Sequence, residues 1–347
     1  MHAHISRPVI KLAPHKVLTD EIIDDIRAHH PTHEKIGSIP RHLIKSGVRS
    51  RYFSHPIDSP FVGGDAGIAK RTAQAYADAV DMAEAAARQL LTEQDMAPEK
   101  VDVLVTSHSV SGGRLPGIDI PLAERLGLRP NVRRIPLSTV ACAGGAITMA
   151  RAADMLMARP NDTVLGVVSE PLSTTYHHAD TDIQSMIFKG LFGDAAAAFL
   201  ATSTPRGPGV RIEDTLEYRL PRSQQAYFTR PDSEVVHFGS TKISLTAVRA
   251  CLPELQSWVA GQPTDVPVIH TGSPGIINSV AHALGRDEPA ARHAHASLAE
   301  LGNIGGSAVI DGLLRVHDDP PAPGSSVTVV SFGPGFVMAA NRGIWCS

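Results

Sequence analysis

An α/β fold is what this sequence predicts, and three observations carry that expectation. Short runs rich in β-branched residues alternate with Ala-rich segments along the chain, the alternation of strands and covering helices found in layered α/β proteins. The segment 142–158 is apolar nearly all round, with Arg151 and Asp154 as its only charges. A helix of that kind belongs between layers, in the interior. The chain has 347 residues, 43% of them hydrophobic and 19% charged, enough for a large core or for two similar-sized halves.

Taken in order, residues 68–91 read as a long Ala-rich helix, and 101–106 as a strand with Val at every second position. The helix 142–158 follows, then strands at 163–168 and 195–201. Pro and Gly interrupt the pattern in Thr202-Ser-Thr-Pro-Arg-Gly-Pro-Gly209, which marks a break between an N-terminal half, 1–204, and a C-terminal half, 205–347. Beyond it, 245–258 reads as a helix with Cys251 in its core face, 266–269 as a strand, and 305–316 as a helix. A Pro-rich surface loop, His317-Asp-Asp-Pro-Pro-Ala-Pro-Gly324, precedes a strand at 327–332.

Composition narrows the function. A net charge of -3 argues against a general nucleic-acid binder, which would carry a basic excess, but leaves acidic small molecules open. No apolar run approaches the roughly 18 residues of a membrane helix, and the first residues lack the apolar core of a secretory signal. Three widely spaced cysteines form neither a disulfide framework nor a zinc pattern, so a cytoplasmic location is expected. Among the 17 histidines, Tyr176-His-His-Ala-Asp180 and the pair His293 and His295 are the best metal candidates. Neither has a partner pair at zinc-site spacing, so no metal is expected.

Cys142 is the most informative residue. It stands in Ser138-Thr-Val-Ala-Cys-Ala-Gly-Gly145, between a β-like segment and the apolar helix. A thiol at a helix start feels the positive end of the dipole and unpaired N–H groups, which favour the nucleophilic thiolate. Ala141, Ala143, Gly144 and Gly145 leave room for a bulky acyl group. Two later segments, Val268-Ile-His-Thr-Gly-Ser-Pro-Gly275 and Leu301-Gly-Asn-Ile-Gly-Gly306, each present one polar side chain beside glycine, His270 and Asn303. Cys, His and Asn so placed make a nucleophile, its base and a hydrogen-bond donor, with the site between the halves.

With the Cys142 run in view, further segments resemble the chalcone-synthase-like type III polyketide synthases, in the family's order: Leu126-Gly-Leu-Arg-Pro-Asn-Val-Arg-Arg134, Leu191-Phe-Gly-Asp194, the His270 loop, Gly302-Asn303 and Phe332-Gly-Pro-Gly335. The resemblance implies a thiolase-like αβαβα fold of two similar halves, a homodimer, and acyl-CoA and malonyl-CoA as substrates without a further cofactor. It makes Cys142 the acyl acceptor, flanked by His270 and Asn303, which would stabilise the enolate of decarboxylated malonyl thioester. Phe192 matches an aromatic gatekeeper, or else a plain core phenylalanine. Thr175 matches a cavity-lining threonine, and Leu115 a residue that reaches toward the partner subunit's cavity. Arg41 and Lys45, with Arg49 as a further candidate, match the basic mouth of the coenzyme A tunnel, or else form a solvated basic face. Gly275 matches a backbone contact to the pantetheine arm.

The departures are as informative. Ser38 stands where a third basic residue is common, Ser331 replaces the first glycine of the Gly-Phe-Gly-Pro-Gly signature, and Gly305-Gly306 replace a Ser pair. Gly305 either adds space beside Cys142 or serves only the backbone. A second gatekeeper falls on Val236, His237 or Phe238. The alternatives to iterative synthesis are a ketoacyl synthase III-like single condensation and acyl transfer without decarboxylation; His270-Thr-Gly-Ser-Pro in place of His-Gln-Ala-Asn favours iteration. A pyrone, resorcinol or phloroglucinol product would each fit.

Overall fold

The computed structural model describes residues 3–109 and 115–347. Its centre is a ten-stranded sheet in which nine strands run in the order Val266–Ile269, Ser326–Gly333, Val337–Cys346, Gly209–Arg219, Ala3–Ser6, Ala195–Thr202, Val164–Glu170, Val103–His108 and Arg133–Ser138. The tenth, Val9–Leu12, pairs with Ala195–Thr202. Parallel pairing is confined to the two ends, and the middle is antiparallel. The short strand Ala3–Ser6 joins the halves, with His4 opposite Thr202 on one side and Arg211 on the other.

The helix Gly144–Ala158 packs on strands from both ends of the sheet and on the helix Ser307–Asp318. Both are buried along most of their length, and they share one apolar cluster with Val105, Val168, Val268 and Val329. The long helix Ile68–Glu93 covers the outer face of the first half, and Ser244–Trp258 with Pro274–Ala283 covers that of the second. The result is the αβαβα layering expected, with the apolar helix in the middle layer.

The predicted elements lie within two residues of the observed ones, and one of these small differences is instructive. The helix after the nucleophile begins at Gly144, and Cys142 sits in a separate 3-10 turn, Ala141–Ala143. Close helix contact explains the glycines: a Cβ on Gly145 would lie 2.1 Å from the carbonyl oxygen of Gly306, and one on Gly144 would lie 2.2 Å from Ser107 Oγ. These residues therefore let the two central helices and a strand meet; they do not widen an acyl pocket. Among the described residues no helix is long and apolar enough to cross a membrane.

Candidate active site

Cys142, His270 and Asn303 line one cavity of about 440 Å³. Each arrives by a different route. The chain enters the Cys142 turn through left-handed backbone at Thr139 (φ 63°) and Ala141 (φ 45°), conformations that side chains with a Cβ rarely adopt and that cluster at functional turns. Ser331 clamps the turn by donating its hydroxyl proton to the Cys142 carbonyl. His270 ends the strand Val266–Ile269, with its N–H on Val330 O at 2.9 Å. Asn303 follows the helix Arg292–Leu301 and is tied to the Phe192 segment by Asn303 N–Leu191 O at 2.8 Å and Gly193 N–Asn303 O at 3.1 Å.

Hydrogen bonding fixes the orientation of the Asn303 amide. Its Oδ1 accepts from Gly305 N at 3.0 Å and from Cys142 Sγ at 3.9 Å. With the oxygen committed, the NH₂ end remains as the donor toward a ligand. His270 is 4% exposed and its Nδ1 has no partner among the described residues.

The electrostatics correct one expectation. Burial, and after it the negative charge of Glu170, pushes the Cys142 thiol up to about 12, with the Asn303 contact opposing. Burial pushes the His270 imidazole down to about 4. The resting pair is therefore a thiol and a neutral imidazole, not the lowered thiol that the helix start and a charged imidazole would produce. In so apolar a setting both charged forms lose more solvation than the local dipoles return. Glu170, itself raised to about 7 by burial, supplies a test. Above pH 7 its charge opposes thiolate formation, so Glu170→Gln should speed alkylation of Cys142 by iodoacetamide there. Below that value Glu170 is protonated and the two proteins should react alike. Superimposable pH–rate profiles would show that this charge does not reach the sulfur.

Gly305 lines the cavity, and the structure separates its two alternatives. Its φ is +59°, and a Cβ there would lie 2.9 Å from Glu170 Cγ and 3.0 Å from Cδ. The volume beside Gly305 is filled by Glu170, so glycine serves the backbone and close packing. Gly305→Ser should cost roughly 1–3 kcal/mol of stability through strain and overpacking, measured by denaturant unfolding. A stable variant with a changed product profile would restore the spatial explanation.

The cavity wall is aromatic. Phe192 meets Phe238 edge-on at 5.4 Å and stacks on Phe188 at 5.5 Å. Phe238 and Val236 both line the cavity, whereas His237 turns away to Asp180 (2.6 Å) and Asp232 (2.5 Å). Thr175 lines the cavity as expected. Leu115 does not line this chain's own cavity and is 94% exposed. Arg41 and Lys45 lie exposed on the helix Ile39–Lys45, without an ion-pair partner among the described residues. Arg49 reaches Glu300 at 3.9 Å. Gly275 is exposed in the first turn of the helix Pro274–Ala283. Gly47 packs near Pro274, so the chain after Lys45 abuts the Gly275 turn.

The family model for chalcone and stilbene synthases, N-terminal domain, matches residues 28–205. The chain belongs to the chalcone and stilbene synthase family. Germicidin synthase from Streptomyces coelicolor, a type III polyketide synthase, shares 27% identity with it; the alignment covers 99% of this chain and 100% of that chain, with a TM-score of 0.92. The 1,3,6,8-tetrahydroxynaphthalene synthase of Streptomyces griseus is 28% identical over 352 residues, 99% of this chain and 93% of that protein. A phloroglucinol synthase of Pseudomonas fluorescens is 25% identical over 344 residues, 97% and 98% of the two. The activity is that of a type III polyketide synthase, an acyltransferase.

Two polar residues of this chalcone-synthase-like site have roles that the motifs do not assign. Glu170 is fully buried at the end of an apolar strand; the signal was a carboxylate closing the β-branched run Val164-Leu-Gly-Val-Val168. Ser331, which the sequence marks only as a departure from the glycine signature, holds the nucleophile turn. The histidine pairs behave differently from one another. His295 bonds Asn278 at 2.7 Å, and His293 approaches Asp319 only at 4.0 Å. His178 meets Asp25 and His29 of the first helix, Thr19–His29.

Proposed function

We propose that this type III polyketide synthase loads an acyl-CoA starter on Cys142 and extends it by decarboxylative Claisen condensation with malonyl-CoA. The chain then cyclises to a small pyrone or phenolic product. The observation that carries the residue roles is the convergence of Cys142, His270 and Asn303 on one aromatic-walled cavity.

In loading, Cys142 Sγ attacks the starter's thioester carbonyl as His270 takes the thiol proton, and coenzyme A leaves as its thiolate. A neutral imidazole is the form able to accept that proton. Malonyl-CoA then loses carbon dioxide, and the electron pair passes to an enolate. The imidazolium, which holds the proton taken from Cys142, and the Asn303 NH₂ donate to its oxygen, a cation and a fixed dipole in a water-poor site. The enolate carbon attacks the acyl-Cys142 carbonyl, the Cys142 thiolate departs, and a β-ketoacyl-CoA lengthened by two carbons results. Return of that chain to Cys142 gives iteration. No cofactor is needed beyond the thioesters.

Phe192 and Phe238 would gate passage into the cavity, with Thr175 on its wall. Arg41, Lys45 and the Gly275 backbone would hold coenzyme A, whose phosphates suit exposed cations. The reading includes a site between the halves 1–204 and 205–347, a cytoplasmic homodimer, and Leu115 directed at the partner's cavity; its exposure is in keeping with that role. The relatives' aromatic polyol products favour a phenolic product. The test is incubation with labelled malonyl-CoA and acyl-CoA starters of graded length. Carbon dioxide release with products extended more than once is expected. A single extension would indicate one-step condensation, and turnover without carbon dioxide would indicate simple acyl transfer.

A further inference from the structure

Away from the cavity, the helix Thr19–His29 and the loop after Thr175 meet at a compact set of polar side chains. Asp25 and His29 stand four residues apart and so share a helix face. From the loop, His178 Nε2 lies 3.0 Å from both carboxylate oxygens of Asp25. Its ring stacks on His29 with centroids 3.5 Å apart. His29 Nδ1 lies 3.3 Å from Asp25 Oδ1 and 3.0 Å from the Asp25 carbonyl oxygen. One potential ligand atom from each residue falls within 4.8 Å of the others.

We propose that Asp25, His29 and His178 bind a divalent transition-metal ion of the zinc class, with water completing its shell. Two imidazoles and one carboxylate suit zinc, cobalt, nickel or copper and do not suit the all-oxygen preference of calcium or magnesium. Tetrahedral bonds of about 2.0–2.1 Å place neighbouring ligand atoms about 3.3 Å apart. The carboxylate–imidazole separations of 3.0 and 3.3 Å are close to that edge, and the exposed His29 ring must turn out of its stack on His178 for both nitrogens to face one ion. The ion takes the place of the hydrogen bonds between the imidazoles and Asp25, each neutral ring carrying its proton on the nitrogen turned away from the metal.

The surroundings are built to hold these ligands. A Cβ on Gly63 would lie 2.3 Å from His178 Cε1, so glycine makes the space the ring occupies. His178 N donates to Gly63 O at 3.0 Å. The Tyr176 hydroxyl donates to Asp25 Oδ2 at 2.5 Å, the outer contact that orients a ligating carboxylate. His29 is half-exposed and offers a way in. Since the loop leads from Thr175 on the cavity wall to the helix Ile183–Lys189, which carries Phe188, the ion would brace that wall and take no part in the condensation.

The test uses full-length protein stripped with chelator, titrated with Zn²⁺ by calorimetry and with Co²⁺ by visible absorption. Wild type should take up one equivalent at this site, with a Co²⁺ d–d band and a raised melting temperature in Zn²⁺. His29→Ala and Asp25→Asn should weaken that event at least about tenfold and abolish the band, as loss of a ligand does. The exposed position of His29 keeps the comparison valid if Asp25→Asn misfolds. Other surface histidines can bind metal weakly, so the difference between wild type and His29→Ala decides. Equal affinity and spectra in those two proteins, or no binding by wild type, would overturn the proposal.

Discussion

Cys142→Ala is expected to lose polyketide formation by at least about a thousandfold, the scale seen when a covalent nucleophile is removed. Acyl-CoA mixed with the wild-type protein should leave one acyl adduct, located by peptide mass spectrometry at Cys142 and missing from the variant. Cys251 is fully buried against Leu255 and Val248 in the outer apolar cluster, and Cys346 lies at the end of the last strand. Neither lines the cavity. An adduct on either would refute the assignment. Malonyl-CoA decarboxylation should persist in part in Cys142→Ala, because that step needs a donor to the enolate and no acyl acceptor.

Asn303→Ala addresses the donor. Loss of its NH₂ should raise the decarboxylation barrier by roughly 2–4 kcal/mol, about a hundredfold in rate or more, while starter loading falls much less. Alanine also strips the Gly305 N–H of its acceptor, a purely structural loss. Asn303→Asp retains an acceptor there and removes the donor, so the two variants should be impaired alike in decarboxylation. Should either release carbon dioxide at the wild-type rate, Asn303 would be a structural residue and the enolate assignment wrong.

The residues that make the cavity chemically distinctive were legible because polar side chains within two positions of a glycine, at strand and helix ends, break the local pattern. Cys142, His270 and Asn303 all do so. The apolar helix was legible for a related reason: a segment with two charges has no solvent-facing side, and Gly144–Ala158 lies in the middle layer. What remained hidden depends on tertiary neighbours. Whether Gly305 makes room or makes a turn is decided by Glu170, which lies 135 positions earlier in the chain. The direction in which the thiol shifts depends on how completely the fold buries Cys142 and on that same carboxylate. Among Val236, His237 and Phe238, alternation along a strand sends the outer two inward together, but only the positions of Asp180 and Asp232 show which pair that is. Asp25 and His178 are joined solely by the packing of one helix against a distant loop.

The strand Ala3–Ser6, seated between Ala195–Thr202 and Gly209–Arg219, has a consequence for biogenesis. During synthesis these residues wait for partners made some two hundred positions later, so the sheet cannot close around them until Gly209–Arg219 has left the ribosome. Contacts of such sequence separation carry a loop-closure cost before they repay it and are slow to form. The nucleophile turn is completed at a later point in the chain, since Ser331, which secures it, is 189 residues downstream of Cys142. Chemical competence therefore arrives only once Ser331 has been made: a nascent chain that already contains Cys142 holds an unclamped thiol, and one released before Ser331 would not be a slower synthase but an inert one.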